Sequence, residues 1–284
     1  MPGRDPSAPP PPRDSATVLL LREGEAGFEV FLVRRHGKSA FMGGAHVFPG
    51  GTVDPQDRDP ALWALASGHS PDTAADALGE EDRDRSMALY CAAIRETFEE
   101  AGVLLAAEPA AETELRQARR RLVAGTPFAP LVRELGVGLG LDRLVPHSRW
   151  ITPVVEPRRY DARFLVAAVP AGQQAEHDRL ETTAGAWVTP PAALERERAG
   201  EIQLPPPTLR TLEALAAHGS VEAVLREARA RRPRPILPVF HPVGDALVLS
   251  LPGDPDHPES ERALPGPTRL VLENGRWRSR DPAG

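Results

Sequence analysis

Seventeen residues, Ser86 to Gly102 (SMALYCAAIRETFEEAG), constrain the fold of this chain more than any other stretch. At about 100° per residue around a helix axis, with Glu96 at zero, Glu99 falls at about −60° and Glu100 at about +40°. Met87, Cys91, Ile94 and Phe98 fall on the opposite side, between about 160° and 220°. The segment therefore predicts a helix that lays one face on a core and gathers three carboxylates on the other. Carboxylates spaced i, i+3 and i+4 repel one another by a few tenths of a kcal/mol per pair. Crowded oxygen ligands of this kind suit Mg²⁺ or Mn²⁺, which keep several waters and bridge substrate phosphates. Arg95, next to Glu96, is placed to fix a carboxylate's orientation, and Gly102 supplies the left-handed residue that ends the helix.

Elsewhere the signals are weaker. The chain has 284 residues with 32 Pro and 24 Gly but only 5% aromatics, so long connections and insertions are expected around one packed domain. Residues 1–15 read as a disordered Pro-rich tail. Ala16 to Arg22 and Phe28 to Arg35 read as a β-hairpin, and Gly44 to Asp54 (GAHVFPGGTVD) as a short strand running into a sharp bend at Pro49-Gly50-Gly51. Residues 54–85 look inserted, with a helical turn or two near Ala61 to Ala66. Thr113 to Leu135 reads as helical, broken at Gly125 to Pro130. Trp150 to Val155, Arg163 to Val169 and Ala186 to Thr189 read as strands. Pro191 to Arg198, Thr208 to Ala217 and Val221 to Arg231 read as helices. Short β-type runs follow to the C-terminus, including Ala246 to Leu251, Thr268 to Leu272 and an Asn274-Gly275 turn signal.

Several function classes are disfavoured. No apolar run approaches the roughly 20 residues of a membrane span. A formal net charge of −6 provides no general attraction for nucleic acid. The single cysteine, Cys91, removes disulfide frameworks and cysteine-based zinc sites and leads us to expect a reducing, cytoplasmic setting. Lys38 is the only lysine, and the arginine excess matches a bias that runs over the whole chain.

The run Arg95-Glu96-Thr97-Phe98-Glu99-Glu100-Ala101-Gly102-Val103 resembles the second half of the Nudix box, GX5EX7REUXEEXGU, with Thr97 where a bulky aliphatic residue is usual. Gly51 resembles its opening glycine, but 44 positions separate Gly51 from Arg95 where the box has 14, so about 30 residues interrupt it. Asp57 stands at the formal spacing of the isolated first Glu of the box, and Glu80 or Glu81 of the insert are the alternatives. The arrangement is similar to a long-insert subgroup that includes the peroxisomal coenzyme A diphosphatases. Its matching stretches are Phe48 to Gly51, Arg95 to Leu105, Trp150 to Pro153, Arg158 to Asp161 and Trp187 to Pro190. The likeness covers about 16–217.

This resemblance implies an α/β fold: a Nudix α/β/α sandwich with a mixed sheet, insertions at about 54–85 and 106–147, and a C-terminal helix and β-containing extension at 218–284. It also implies a metal-dependent hydrolase of a nucleoside diphosphate derivative, with Mg²⁺ or Mn²⁺ held by Glu96, Glu99 and Glu100 and Arg95 holding the carboxylates. For the general base, Glu96, Glu100, Glu176 and Glu181 are eligible, with Glu181 the preferred loop candidate. Gly50 and Gly51 would let the substrate approach the backbone, and Arg34, Arg35, Arg158 and Arg159 are candidates for bidentate diphosphate contacts. Coenzyme A or acyl-coenzyme A is the first substrate expectation. ADP-ribose, nucleotide sugars and dinucleoside polyphosphates are the alternatives, and a non-catalytic sensor is the reading from another class. Residues 113–146 are a candidate cover for a pantetheine arm. Homodimerisation and the role of the C-terminal extension stay open. Cys91, His46, Trp150 and Trp187 are read first as core or edge residues.

Overall fold

The computed structural model describes residues 10–36, 43–176, 182–243 and 246–282. Two strands, β1 (Arg13–Arg22) and β2 (Glu29–Arg35), form the predicted hairpin, but they pair only at its closed end, Leu21 with Val30 and Arg22 with Glu29. Beyond that point they diverge. Two short strands fill the fork: β3 (His46–Val47) pairs with β2, and β4 (Gly50–Thr52) pairs with β1. β1 starts at Arg13, so residues 13–15 of the expected tail pair, in parallel, with a later strand; residues 1–9 lie outside the described residues.

The first insertion contributes a 3₁₀ turn at Pro55–Arg58, α1 (Pro60–Trp63), the bridge strand β5 (Ala66–Ser67) and α2 (Pro71–Leu78), the last not foreseen from the sequence. Then comes α3 (Arg83–Ala101), the carboxylate-bearing helix, stopped by Gly102 at φ 73°. The second insertion contributes α4 (Glu112–Val123), α5 (Phe128–Leu135) and β6 (Leu139–Gly140), which pairs in parallel with β5 and so ties the two insertions together.

Three strands complete the central sheet from the far side: β7 (Val145–Ile151), β8 (Tyr160–Ala168) and β9 (Thr182–Val188). β7 ends at Ile151 rather than near Val155, because Pro153 cannot donate to the ladder and a turn follows it. Helices α6 (Pro190–Ala199), α7 (Pro206–Leu215) and α8 (Val221–Ala230) lead to β10 (Pro235–Ile236), which pairs in parallel with β7. The central sheet has eight strands along the order β10-β7-β8-β1-β2-β3, with β4 on β1 and β9 on β2. It is mixed: β1 with β8 and β10 with β7 are parallel, and the remaining pairs are antiparallel.

Alternation along the strands sends side chains to two cores, as a sheet covered on both faces requires. Ala16, Val18 and Leu20 of β1 join α1 to α5, whereas Leu19 and Leu21 join α6 to α8. The result is an α/β/α sandwich. Because α8 contributes to the second core and β10 extends the main sheet, the main body runs past residue 217, the expected boundary. The C-terminal extension proper is a separate four-stranded antiparallel sheet of β11 (Val239–Val243), β12 (Ala246–Ser250), β13 (Arg269–Glu273) and β14 (Arg276–Arg280). Among the described residues no helix is long and apolar enough to cross a membrane.

Candidate active site

The site begins with the packing of α3. Met87, Cys91, Ile94 and Phe98 are all buried in the core, as the helical spacing predicts. That docking carries Arg95 and the three glutamates to the fork between β1 and β2. Burial pushes the Cys91 thiol well above its usual range, with the charge of Asp57 adding to the effect, so the thiol is inert.

Arg95 is the hub. Its side chain is 5% exposed and that of Asp57 is 0% exposed, and the two meet in a bidentate pair with both N···O distances at 2.8 Å. A second guanidinium nitrogen reaches the Thr52 carbonyl at 3.1 Å, while Nη1 donates to Glu96 at 2.9 Å and to Glu99 at 3.3 Å. Burial alone would lower the pKa of Arg95, but the hydrogen bond to Asp57 and the surrounding carboxylates hold it above its ordinary value. The residue at the formal spacing of the first box Glu is thus the one brought to the box arginine. Asp57 sits in the 3₁₀ turn capped by Asp54 and accepts from the Asp54 N–H at 2.7 Å, and the interruption of the box comes after it. Glu80, the alternative, is engaged elsewhere with Arg85, Arg149 and Arg163.

Two glycines are required by this geometry. A Cβ on Gly50, whose φ is +153°, would lie 2.3 Å from the Ala16 carbonyl oxygen. A Cβ on Gly51 would lie 2.4 Å from the carboxyl carbon of Glu96, so any side chain there would fill the space beside that carboxylate. The Gly50 N–H in turn donates to Glu100 at 2.9 Å. Burial, reinforced by the charge of Glu99 against the attraction of Arg95, raises Glu96 to about 7.

The C-terminal end of α3 is held by Arg119, which carries no signal in the sequence, and by the backbone of Glu176, an eligible base whose side chain does not line the cavity described below. Arg119 of α4 donates to the carbonyls of Glu99 at 3.0 Å and Glu100 at 2.9 Å, satisfying helix-end acceptors. It also reaches the Glu176 carbonyl at 2.8 Å, and the Glu176 N–H donates to Ala101 at 2.9 Å. The second insertion is therefore a brace for the box helix. It contributes none of the side chains that line the cavity described next, which removes it as the cover for a substrate arm.

Glu96, Glu99 and Glu100 open, with Gly50, Gly51 and Arg95, into a cavity of about 590 Å³. Its other walls are Arg13, Ser15 and Thr17 of β1, then Trp150, Tyr160 and Phe164 of β7 and β8. The far wall comes from Pro205 to Pro207 and, beyond them, from Pro238, Phe240, Leu249 and Trp277 of the C-terminal extension. Of the four expected diphosphate arginines, Arg35 lines the cavity and the other three do not. Arg34 is exposed and reaches the Gly44 carbonyl, Arg158 is exposed, and Arg159 is buried with its guanidinium on the carbonyls of Thr152 and Pro10. Arg13, missed because it lies in the expected tail, stands in the cavity wall, and among the described residues neither it nor Arg35 forms an ion pair. Glu181 lies outside the described residues. His46 and Trp187 are absent from the lining; burial lowers His46 to about 4, helped by Arg34 and Arg196, and Trp187 packs on Phe31 under Arg22.

The donor set fits a hard divalent cation: carboxylate oxygens only, one of them made reluctant to ionise by burial, around a space that a Cβ would close. Among the described residues no three such side chains are already converged on one point, since Arg95 and the Gly50 N–H hold their oxygens.

The model of the NUDT19 Nudix domain family matches residues 12–215. The chain belongs to this family of Nudix hydrolases. It is 30% identical to the acyl-coenzyme A diphosphatase NUDT19 of Gallus gallus over 87% of this chain and 80% of that protein. It is 29% identical to the Homo sapiens protein of the same name, over 80% and 72% of the two chains. A solved Nudix hydrolase from Alicyclobacillus acidocaldarius superposes with a TM-score of 0.63 at 29% identity, covering 78% of this chain and 97% of that one.

Proposed function

We propose that this Nudix hydrolase cleaves the diphosphate of coenzyme A and its acyl thioesters, releasing 3′,5′-ADP and a phosphopantetheine fragment. The observation that carries the reading is the single cavity that runs from the carboxylates of α3 to an apolar wall. Its volume, about 590 Å³, is in the range of ligand sites, roughly 300–1,000 Å³. The similarity to proteins named acyl-coenzyme A diphosphatase supports the same substrate class.

Glu96, Glu99 and Glu100 would hold the cation, Mg²⁺ or Mn²⁺, which when bound offsets the diphosphate charge and lowers the pKa of the attacking water. Arg95, locked by Asp57, keeps Glu96 and Glu99 from swinging away, and the Gly50 N–H does the same for Glu100. Arg35 and Arg13 are the cations available to the substrate's phosphates. A water attacks one phosphorus, the bond from that phosphorus to the bridging oxygen breaks, and the other phosphate leaves. The water's proton passes to a carboxylate, for which Glu181 is our loop candidate and Glu96 the helix alternative.

The test is hydrolysis of coenzyme A, acyl-coenzyme A, ADP-ribose, a nucleotide sugar and a dinucleoside polyphosphate with Mg²⁺, Mn²⁺ or chelator, with products identified by mass. Cation-dependent release of 3′,5′-ADP is expected. Turnover of another diphosphate with none of the coenzyme A compounds would refute the substrate, and cation-independent binding without turnover would refute catalysis.

A further inference from the structure

Strand register shows what the C-terminal sheet contributes. Phe240, Leu249, Leu270 and Ser279 are directly paired across β11, β12, β13 and β14 and so share one face. The next row on that face contains Leu247, Leu272 and Trp277. The first row is anchored: Leu249 and Leu270 are buried in the second core, against which Phe240 and Trp277 also pack. The second row runs outward, with Leu272 half-buried and Leu247 45% exposed. One continuous apolar face therefore starts inside the catalytic cavity at Phe240, Leu249 and Trp277 and continues past its rim to Leu247.

We infer that this face is the subsite for the acyl chain of an acyl-coenzyme A, and that the C-terminal sheet is a specificity element of the enzyme. The inference rests on the substrate reading proposed above. Three observations select this occupant. The side chains on this stretch of the wall, Phe240, Leu249 and Trp277 with Pro238 before them, offer chiefly hydrocarbon and ring surface, which suits a methylene chain better than the polar edge of a base. His241 and Ser250, the polar neighbours of Phe240 and Leu249, lie on the opposite face and bond each other at 2.8 Å, and Ser279, which shares the face, is outside the cavity lining and bonds Glu213 at 2.8 Å. The charged groups that line the cavity, Arg13, Arg35, Glu156 and the α3 cluster, all come from the main body, so the sheet adds apolar surface only. An exposed leucine beyond the rim gives a long chain somewhere to extend after the enclosed volume is filled.

The experiment is kcat/KM for coenzyme A and for its acetyl, octanoyl and palmitoyl thioesters, in the wild type and in Trp277→Ala, Phe240→Ala and Leu247→Glu. Each methylene that leaves water adds several-fold in apparent affinity. The wild type is therefore expected to prefer longer chains, and the ratio of palmitoyl to free coenzyme A should fall at least tenfold in each variant. Leu247→Glu guards against misfolding, because it changes a residue already in solvent, and inhibition by 3′,5′-ADP is the internal control. A proportional loss on all four substrates with weakened 3′,5′-ADP inhibition would assign the face to the nucleotide and overturn the inference. Turnover with no chain-length dependence would also overturn it while leaving the substrate reading intact. No turnover of any coenzyme A compound by the wild type would remove both.

Discussion

Two clusters of arginine and carboxylate flank β1, and they behave in opposite ways. One joins Arg85, Arg149 and Arg163 to Asp14, Glu80 and Asp161: Arg85 meets Asp14 at 2.6 Å and Asp161 at 2.9 Å, and Arg149 meets Asp161 at 2.7 Å and Glu80 at 3.2 Å. Arg163 completes it through Asp161 and Glu80, and exposed Arg58 reaches Asp14 from outside. Inside this cluster the charges balance. Burial would raise Asp161, yet the hydrogen bond from Arg149 and the charges of Arg163, Arg149 and Arg85 hold it below the usual carboxylate range. The other cluster gathers Asp57, Glu96 and Glu99 around Arg95, with Glu100 beside them, and there burial, with the charge of Glu99 and against the attraction of Arg95, raises Glu96 to about 7. The same residue types make a closed clamp in one place and open into the cavity in the other. Burial weighs on both carboxylates; three arginines outweigh it at Asp161, and the one arginine at Glu96 does not.

The largest expected effect comes from removing the charge of one α3 carboxylate. Glu99→Gln or Glu100→Gln should lower kcat by roughly a hundredfold to a thousandfold, the scale of losing a group that stabilises developing charge. Steady-state kinetics checks this, with thermal denaturation in chelator showing that the variants are folded. Retained turnover would take these glutamates out of the mechanism.

Asp57→Asn should damage both properties. It leaves the guanidinium of Arg95, 5% exposed, without its bidentate partner, and breaking a buried pair costs about 3–5 kcal/mol. Denaturant unfolding should show that loss, and kcat should fall with it because Glu96 and Glu99 lose the arginine that orients them. Asp161→Asn is the contrast: destabilisation of about 1–3 kcal/mol, the cost of weakening charged hydrogen bonds, with kcat within twofold of wild type. If Asp161→Asn cost activity and spared stability, the division between clamp and site would be wrong.

That division was half legible in the sequence. Glu96, Glu99 and Glu100 were readable because helical periodicity is local, and the same period put Met87, Cys91, Ile94 and Phe98 in the core. Asp57 was readable only as a spacing, since closing the distance to Arg95 depends on where the first insertion leaves and re-enters the chain. Arg119, Arg13 and Trp277 carried no local signal: each reaches the site through tertiary contact from an expected insertion, tail or extension. The sandwich followed from the family resemblance, whereas the fork between β1 and β2 was not read, because strand divergence leaves no period in a sequence. Arg158 and Arg159 were candidates for bidentate diphosphate contacts, but the turn after Pro153 points neither into the cavity.

The smallest predicted effect separates the clusters by the sign of their pH dependence. In the cation-free protein the unfolded chain loses the Glu96 proton near the ordinary value of 4.5, while the folded chain keeps it to about 7. The folded state binds more protons between those values, so the Glu96 contribution is fully present below the lower one and is lost as pH rises through the upper one. The slope is at most about 1.4 kcal/mol per pH unit. Asp161 acts in the other direction: its folded pKa is depressed, so its contribution is present above the usual 3.8 and is lost as pH falls through the folded value. Urea unfolding from acid to neutral pH in chelator should therefore show a neutral limb that Glu96→Gln flattens and an acid limb that Asp161→Asn flattens. Mg²⁺ or Mn²⁺ should flatten only the neutral limb, since a cation bound by ionised Glu96 removes the reason for keeping the proton. A neutral limb that persists unchanged in Glu96→Gln would mean that the buried charge of Glu96 is not what the folded state resists.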